Sequence, residues 1–208
     1  MPNAYASIGF TLSVREEQKR FGSADAYATV LSPDRHDGDE LTSREAEFLT
    51  ERDGIYEATV SETGWPYVQF RGGAPGFIKV IDQRTIGYAD FRGNQQYISV
   101  GNLRHNDHVS IIALDYPRRK RLKLWGYAQI VEDRDVISLL HDGTGPRVER
   151  GILIRVAAFD WNCPQHIPIR LTDAERDNEI AQLRTRIKTL ESRLNETAPV
   201  TQEAGLPE

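Results

Sequence analysis

The sequence predicts a small antiparallel β-barrel with helical decorations. Three observations predict it: about six short alternating or apolar runs between residues 54 and 159, turn-like connections between them, and too few helical patterns for a parallel α/β sheet.

The composition suits that class. A chain of 208 residues suits one sizeable domain with appendages, burying about 70% of its unfolded surface. With 39% hydrophobic and 27% charged residues and a net charge of −5, it reads neither as a basic nucleic-acid binder nor as a disordered acidic chain, so no nucleic-acid partner is expected. No apolar stretch approaches the roughly 20 residues that cross a bilayer, and residues 1–6 lack a basic segment followed by an apolar one. No membrane association is expected, and a cytoplasmic location is. The single cysteine, Cys163, excludes an intramolecular disulfide framework, and no cysteine and histidine spacing suggests zinc, so no metal is expected.

Residues 1–53 read as an N-terminal extension with two helices. Ser13 with Glu16, and Thr42 with Glu45, make capping-box patterns before residues 17–21 and 46–52, and Gly22 supplies a stop. The acidic link 33–40 reads as a solvated loop in which His36 is a surface residue. From Gly54 the pattern turns to strands. Residues 55–60 and 65–70 form a hairpin around residues 61–64, with Gly64 free to take the positive φ such a turn needs. Residues 71–76 are too glycine-rich for a regular strand and let backbone approach something closely. Residues 77–81 and 85–89 resume the strand pattern.

Residues 88–103 form a polar insert between two strand patterns, which is where a site would be built. Arg92 and Gly93 precede Asn94, placed to cap a helix over residues 95–100, and a helix start with a nearby arginine suits a phosphate. An ordinary strand-to-helix turn with a surface arginine fits the same residues. Strands follow at 109–115 and 121–131. In the second, Leu122, Leu124, Gly126, Ala128 and Ile130 share a core face, and Arg121, Lys123, Trp125, Tyr127 and Gln129 share one that meets something polar. The basic run at 118–123 suits phosphate or a solvated edge. Residues 133–141 read as a short helix, 142–146 as a loop and 151–159 as a long apolar strand. Residues 173–195 form the clearest helix: Ile180, Leu183, Ile187, Leu190 and Leu194 alternate spacings of three and four, the seam of a coiled coil, open to a second chain or to its own barrel. Residues 196–208 read as a disordered tail.

With these residues laid out, the chain resembles the FMN-binding split-barrel proteins related to pyridoxamine 5'-phosphate oxidase. The stretch 58–68, Ala-Thr-Val-Ser-Glu-Thr-Gly-Trp-Pro-Tyr-Val, is similar to that family's first two strands. The stretch 89–99, Ala-Asp-Phe-Arg-Gly-Asn-Gln-Gln-Tyr-Ile-Ser, followed by Asn-Asp-His-Val-Ser-Ile at 106–111, is similar to its phosphate-binding segment and next strand. The resemblance covers about residues 45–168. It implies a six-stranded antiparallel split β-barrel over residues 54–168 with peripheral helices, followed in this chain by the C-terminal heptad helix. It also implies FMN held at the interface of a homodimer, and an oxidoreductase passing hydride between FMN and a small organic substrate or NAD(P)H.

By position, the resemblance places Arg71 and Lys79 on the strand segment facing the cofactor, and Arg92, Asn94, Gln95, Tyr97 and Ser99 in the phosphate segment. Arg121 stands where the family often has a glutamine directed at the flavin, with Lys123 on the same face. Trp161 and Gln165 fit the late segment that the family brings over from the other subunit. The oxidase's substrate-holding Arg and His near the C-terminus have no convincing match, so oxidation of pyridoxamine phosphate itself is not expected. The other readings are a flavin-binding sensor or partner-binding module without turnover, and the same barrel binding haem, with His166 as the candidate ligand, or a deazaflavin coenzyme. His105 and His108 read as surface residues, and Cys163 as a buried bystander.

Overall fold

The computed structural model describes residues 3–35, 37–141, 147–161 and 164–197. His36, Cys163, the loop 142–146 and most of the expected tail lie outside them. In chain order the elements are α1 (Ala4–Gly9), α2 (Leu12–Arg20), a 3₁₀ helix (Asp25–Leu31), α3 (Ser43–Thr50), β1 (Gly54–Val60), β2 (Pro66–Gly72), β3 (Lys79–Asp82) and β4 (Thr85–Phe91). Then come α4 (Ile98–His105), β5 (His108–Asp115), β6 (Lys120–Val131), α5 (Arg134–Leu140), β7 (Val148–Trp161) and α6 (Asp173–Thr197). Two compact units emerge, Met1–Ile167 and Pro168–Glu208, so the N-terminal extension belongs with the barrel. Among the described residues no helix is long and apolar enough to cross a membrane.

The strands form one antiparallel sheet in the order β2-β1-β5-β6-β7-β4-β3. It has seven strands where six were expected, and the strand pattern at 77–81 becomes β3, a four-residue edge strand paired with β4. The sheet curls around a core that includes Ile55, Ile86, Tyr88, Ile111, Leu122, Leu124, Ile152 and Ile154, with β2 and β3 as its two edges. Alternation builds this core directly: β6 buries Leu122, Leu124, Gly126 and Ala128 while the residues between them stay partly exposed. At the first hairpin Gly64 takes φ +84°, in the left-handed region that a side chain disfavours. Strand β2 runs on through Arg71 to Gly72, beyond the expected end at Phe70, because Ile55 and Gly54 continue the register against those two residues.

The N-terminal extension holds four helical segments instead of two. The cap of α2 is Thr11, two residues before the expected Ser13; its hydroxyl accepts from the Val14 amide at 3.4 Å. The Thr42 and Glu45 capping box at α3 forms as expected. Helix α1 lies against the outer face of the sheet, where Tyr5 stacks on Trp125 with ring centres 4.3 Å apart. The half-polar face of β6 therefore meets the chain's own N-terminus at this point. Lys123 pairs with Asp160 at 3.2 Å and sits over the Tyr5 ring. Burial works against its charge, but hydrogen bonds to Tyr5 and Asp160 outweigh that and raise its pKa.

Candidate functional site

A pocket of about 220 Å³ opens beside the end of β4. Strand β2 alternates, so Tyr67, Gln69 and Arg71 share its inward face and line the pocket. The far wall is Asp90 and Phe91 of β4, the connection 93–97, the first turn of α4, and Glu149 and Arg150 at the start of β7.

The connection does not fold as the sequence suggests. The helix begins at Ile98, not Gln95, and the residue before it is Tyr97 in the left-handed region at φ 52°, so Asn94 is no helix cap. Gln95 is also left-handed at φ 60°, a conformation that costs a non-glycine residue about 1–2 kcal/mol. Asn94 instead accepts from the Gln96 amide at 3.2 Å, closing a turn that keeps the loop wrapped around the pocket. With its amide oriented to suit its neighbours, Gln95 accepts from the Arg92 guanidinium at 3.0 Å.

Beneath the pocket lies a charged network. Arg71 donates to Asp90 at 2.8 Å and lies 3.4 Å from Glu57, and Arg150 donates to the other Asp90 oxygen at 3.0 Å and to Glu149 at 2.7 Å. Tyr88 donates to Glu57 at 2.6 Å, Tyr97 donates to Glu149 at 3.3 Å, and the Arg150 guanidinium lies 5.2 Å from the centre of the Tyr97 ring. Ser99 donates to Gln69 at 3.1 Å. Glu57 is completely buried. Burial pushes its pKa up, against the pull of Arg71 and the Tyr88 hydrogen bond. Burial and the neighbouring Glu57 carboxylate push the Tyr88 hydroxyl well above its ordinary range, so it remains a donor.

The structure thus gathers Arg71, Asn94, Gln95, Tyr97 and Ser99 at one pocket, with Arg92 at its margin 3.9 Å from Glu149. Lys79 is outside it, on the edge strand β3. Arg121, Lys123 and Trp161 cluster elsewhere, since Leu122 pairs with Trp161 and Lys123 with Asp160. Arg150 and Trp161 stand near opposite ends of β7, separated by about 35 Å of extended strand. Trp161 donates to Glu45 of α3 at 2.6 Å and packs edge-on against Phe48. Gln165 and His166 are exposed in the turn after β7. Tyr67, Gln69, Glu57, Asp90, Glu149 and Arg150 were not expected at the site. The alternation that buries Ile55 also points Glu57 inward, which marks it in the sequence; Glu149 and Arg150 precede the apolar run of β7 and carry no such mark.

A family model described as pyridoxamine 5'-phosphate oxidase matches residues 41–155, more than half of the chain and every residue lining the pocket. The chain belongs to the pyridoxamine 5'-phosphate oxidase family. No curated protein matches the sequence. Among solved structures, HupZ of Group A Streptococcus is 18% identical with a TM-score of 0.49, covering 63% of this chain and 100% of its own. An FMN-binding protein from Syntrophomonas wolfei is 12% identical with a TM-score of 0.46, covering 73% and 95%. A Clostridium acetobutylicum protein of the pyridoxinephosphate oxidase family, related to general stress protein 26, is 14% identical with a TM-score of 0.43, covering 57% and 85%.

Proposed function

We propose that this member of the family is an FMN-dependent oxidoreductase acting on a small organic substrate or NAD(P)H, as a homodimer with the cofactor at the subunit interface. One observation carries the reading. Two buried side-chain nitrogens lack a hydrogen-bond partner among the described residues, Arg71 Nε and Arg121 Nε, and both belong to residues that the family resemblance directs at the cofactor. A buried donor without an acceptor costs about 1–3 kcal/mol, which a bound acceptor would recover.

The pocket suits the polar end of such a cofactor. Arg71, Arg92 and Arg150 place three guanidinium groups around the pocket among Asp90, Glu149 and the buried Glu57, so cationic donors for a phosphate are at hand. Ser99, Gln69, Asn94 and Tyr97 offer hydrogen bonds for a ribityl chain. At about 220 Å³ the pocket is smaller than the roughly 300–1,000 Å³ of a whole-ligand site, so it takes the phosphate and adjoining hydroxyls, and the ring lies beyond it.

When bound, FMN supplies hydride transfer at its N5. The chain's own residues anchor and orient it: Arg71 and Arg92 hold the anionic end, and the left-handed loop at Gln95 and Tyr97 closes around it. Arg121, Lys123, Trp161 and Gln165, at the other end of the barrel, meet the ring only if a second copy brings them there. Tyr56, Val68 and Phe70 give the outer face of β1 and β2 an exposed apolar patch that suits such a copy.

The test is the visible spectrum of the purified protein and titration with FMN and riboflavin in parallel. FMN is expected to bind and riboflavin to bind at least about tenfold more weakly, because one charge-assisted phosphate contact contributes about 1.5–3 kcal/mol. Arg92→Ala, a half-exposed residue, should lower FMN affinity without altering the circular dichroism spectrum. A protein that takes up no FMN, or that binds riboflavin equally well, overturns the placement of the phosphate.

A further inference from the structure

Helix α6 carries five large apolar side chains on one stripe, and they are exposed: Ile180 39%, Leu183 57%, Ile187 53%, Leu190 45% and Leu194 69%. Numbered as heptads, Ile180, Ile187 and Leu194 fall at a, and Leu183 and Leu190 at d. Isoleucine at a with leucine at d is the combination that favours two parallel strands over three or four. The flanking positions agree. Glu179 and Arg186 occupy g, and Arg184 and Glu191 occupy the e positions that follow them by five residues.

In a parallel, in-register pair each g residue faces the e residue five positions on in the other helix. That sets Glu179 against Arg184 of a second copy and Arg186 against Glu191, and the two-fold axis repeats both pairs. Every one is attractive. An antiparallel pair sets g against g, and in the register that faces Ile180 with Leu190 it brings Arg186 against its own counterpart.

We propose that α6 pairs with α6 of a second copy as a parallel, in-register two-stranded coiled coil. The complementarity of the g and e charges with themselves selects this occupant, since a helix of another sequence has no reason to repeat it. The pairing is independent of the flavin reading: it requires a second chain but no cofactor, and it is read by a cross-link that a cofactor-free protein would still form.

The experiment uses the full-length chain with its native cysteine removed by Cys163→Ser. Leu190→Cys is expected to form a disulfide-linked dimer under mild oxidation, because the two d positions face each other across the axis. As a control, chains carrying Ile180→Cys and Leu190→Cys are mixed; an antiparallel pair sets a against d, so a mixed disulfide between these two positions forms only in that arrangement. Cross-linking of the mixed pair with none in Leu190→Cys alone overturns the parallel geometry, and no cross-link in either overturns the proposal.

A second set of variants guards against a trivial loss of helix. Arg184→Glu with Arg186→Glu makes the four g and e positions 179, 184, 186 and 191 all acidic, and Glu179→Lys with Glu191→Lys makes these four all basic. Each placed on Leu190→Cys should lose its homodimeric cross-link, and mixing the two should restore it as a heterodimer. Equal cross-linking in all three samples would show that the charges do not choose the partner, and would also overturn the proposal.

Discussion

Arg71 on β2 and Asp90 on β4 meet at 2.8 Å although four strands separate β2 from β4 in the sheet. The pair therefore spans the interior of the curled sheet and ties its two flanks together where backbone hydrogen bonds do not. Arg150 holds the second Asp90 oxygen at 3.0 Å, so the carboxylate is shared by two guanidinium groups at the floor of the pocket.

Removing that shared acceptor should be costly. Asp90→Ala leaves Arg71 and Arg150 mostly buried without their common counter-charge, and breaking a buried pair in this way costs about 3–5 kcal/mol. Urea denaturation should show the midpoint falling by that equivalent with the slope unchanged. A loss under about 1 kcal/mol would mean that solvent replaces Asp90 and that the two flanks are joined by other contacts.

Glu57 makes a prediction with the opposite sign from most carboxylates. Burial raises its folded pKa above the ordinary value of 4.5, so the native state holds this proton more tightly than the unfolded state. Its contribution is complete below that ordinary value and is lost as pH rises through the raised one. Glu57→Gln removes the titration. The melting temperature of the variant should therefore gain on that of the native protein as pH rises from 5 to 8. A constant difference over that range would show that Glu57 stays ionised.

Much of the fold was legible in these residues, and the reasons differ by element. The alternation in β6 follows from a strand with one buried face, and seven of its twelve positions declare it without help from any neighbour. The heptads of α6 are equally local. Helix α1 was not legible, because six residues have little periodicity to show and the helix is fixed by Tyr5 stacking on Trp125, some 120 residues away. At the site, the loop 92–99 was found from its arginine, glycine and polar residues, but its cap was misplaced because left-handed Gln95 and Tyr97 delay the helix. The floor of the pocket was missed for a physical reason. A glutamate or aspartate in a strand is ordinarily turned outward, and only the meeting of Glu57, Arg71, Asp90 and Arg150 across the barrel makes their burial tolerable.

At the other end of the barrel the pH dependence reverses. Burial disfavours the charged forms of Glu45 and Asp115, yet hydrogen bonds from Thr42 and Trp161 to Glu45, and from Arg118 together with the Arg52 charge to Asp115, outweigh it and hold both pKa values below the ordinary 4.5 and 3.8. Stability from these groups is present above those ordinary values and is lost as pH falls through the depressed ones. Glu45→Ala should lower stability by about 1–3 kcal/mol at neutral pH and make the acid limb of the stability curve shallower. Trp161 fluorescence is the natural probe, since its indole donates to Glu45.

Gly126 gives the sharpest steric prediction. It lies in β6 where the register against β7 shifts between Trp125 and Gly126. A Cβ there would stand 2.6 Å from Ile154 Cγ2 and 2.7 Å from the Arg155 carbonyl oxygen. A rotamer change at Ile154 can make room for its methyl group, but the carbonyl belongs to the paired strand and cannot move without opening the longest ladder in the sheet. Overpacking of this kind costs about 1–3 kcal/mol. Gly126→Ala should therefore melt several degrees below the native protein, while Gly93→Ala, whose Cβ meets nothing within 4 Å, should melt with it. Equal losses at the two positions would mean that chain flexibility, and not the approach of β6 to β7, sets the requirement for glycine.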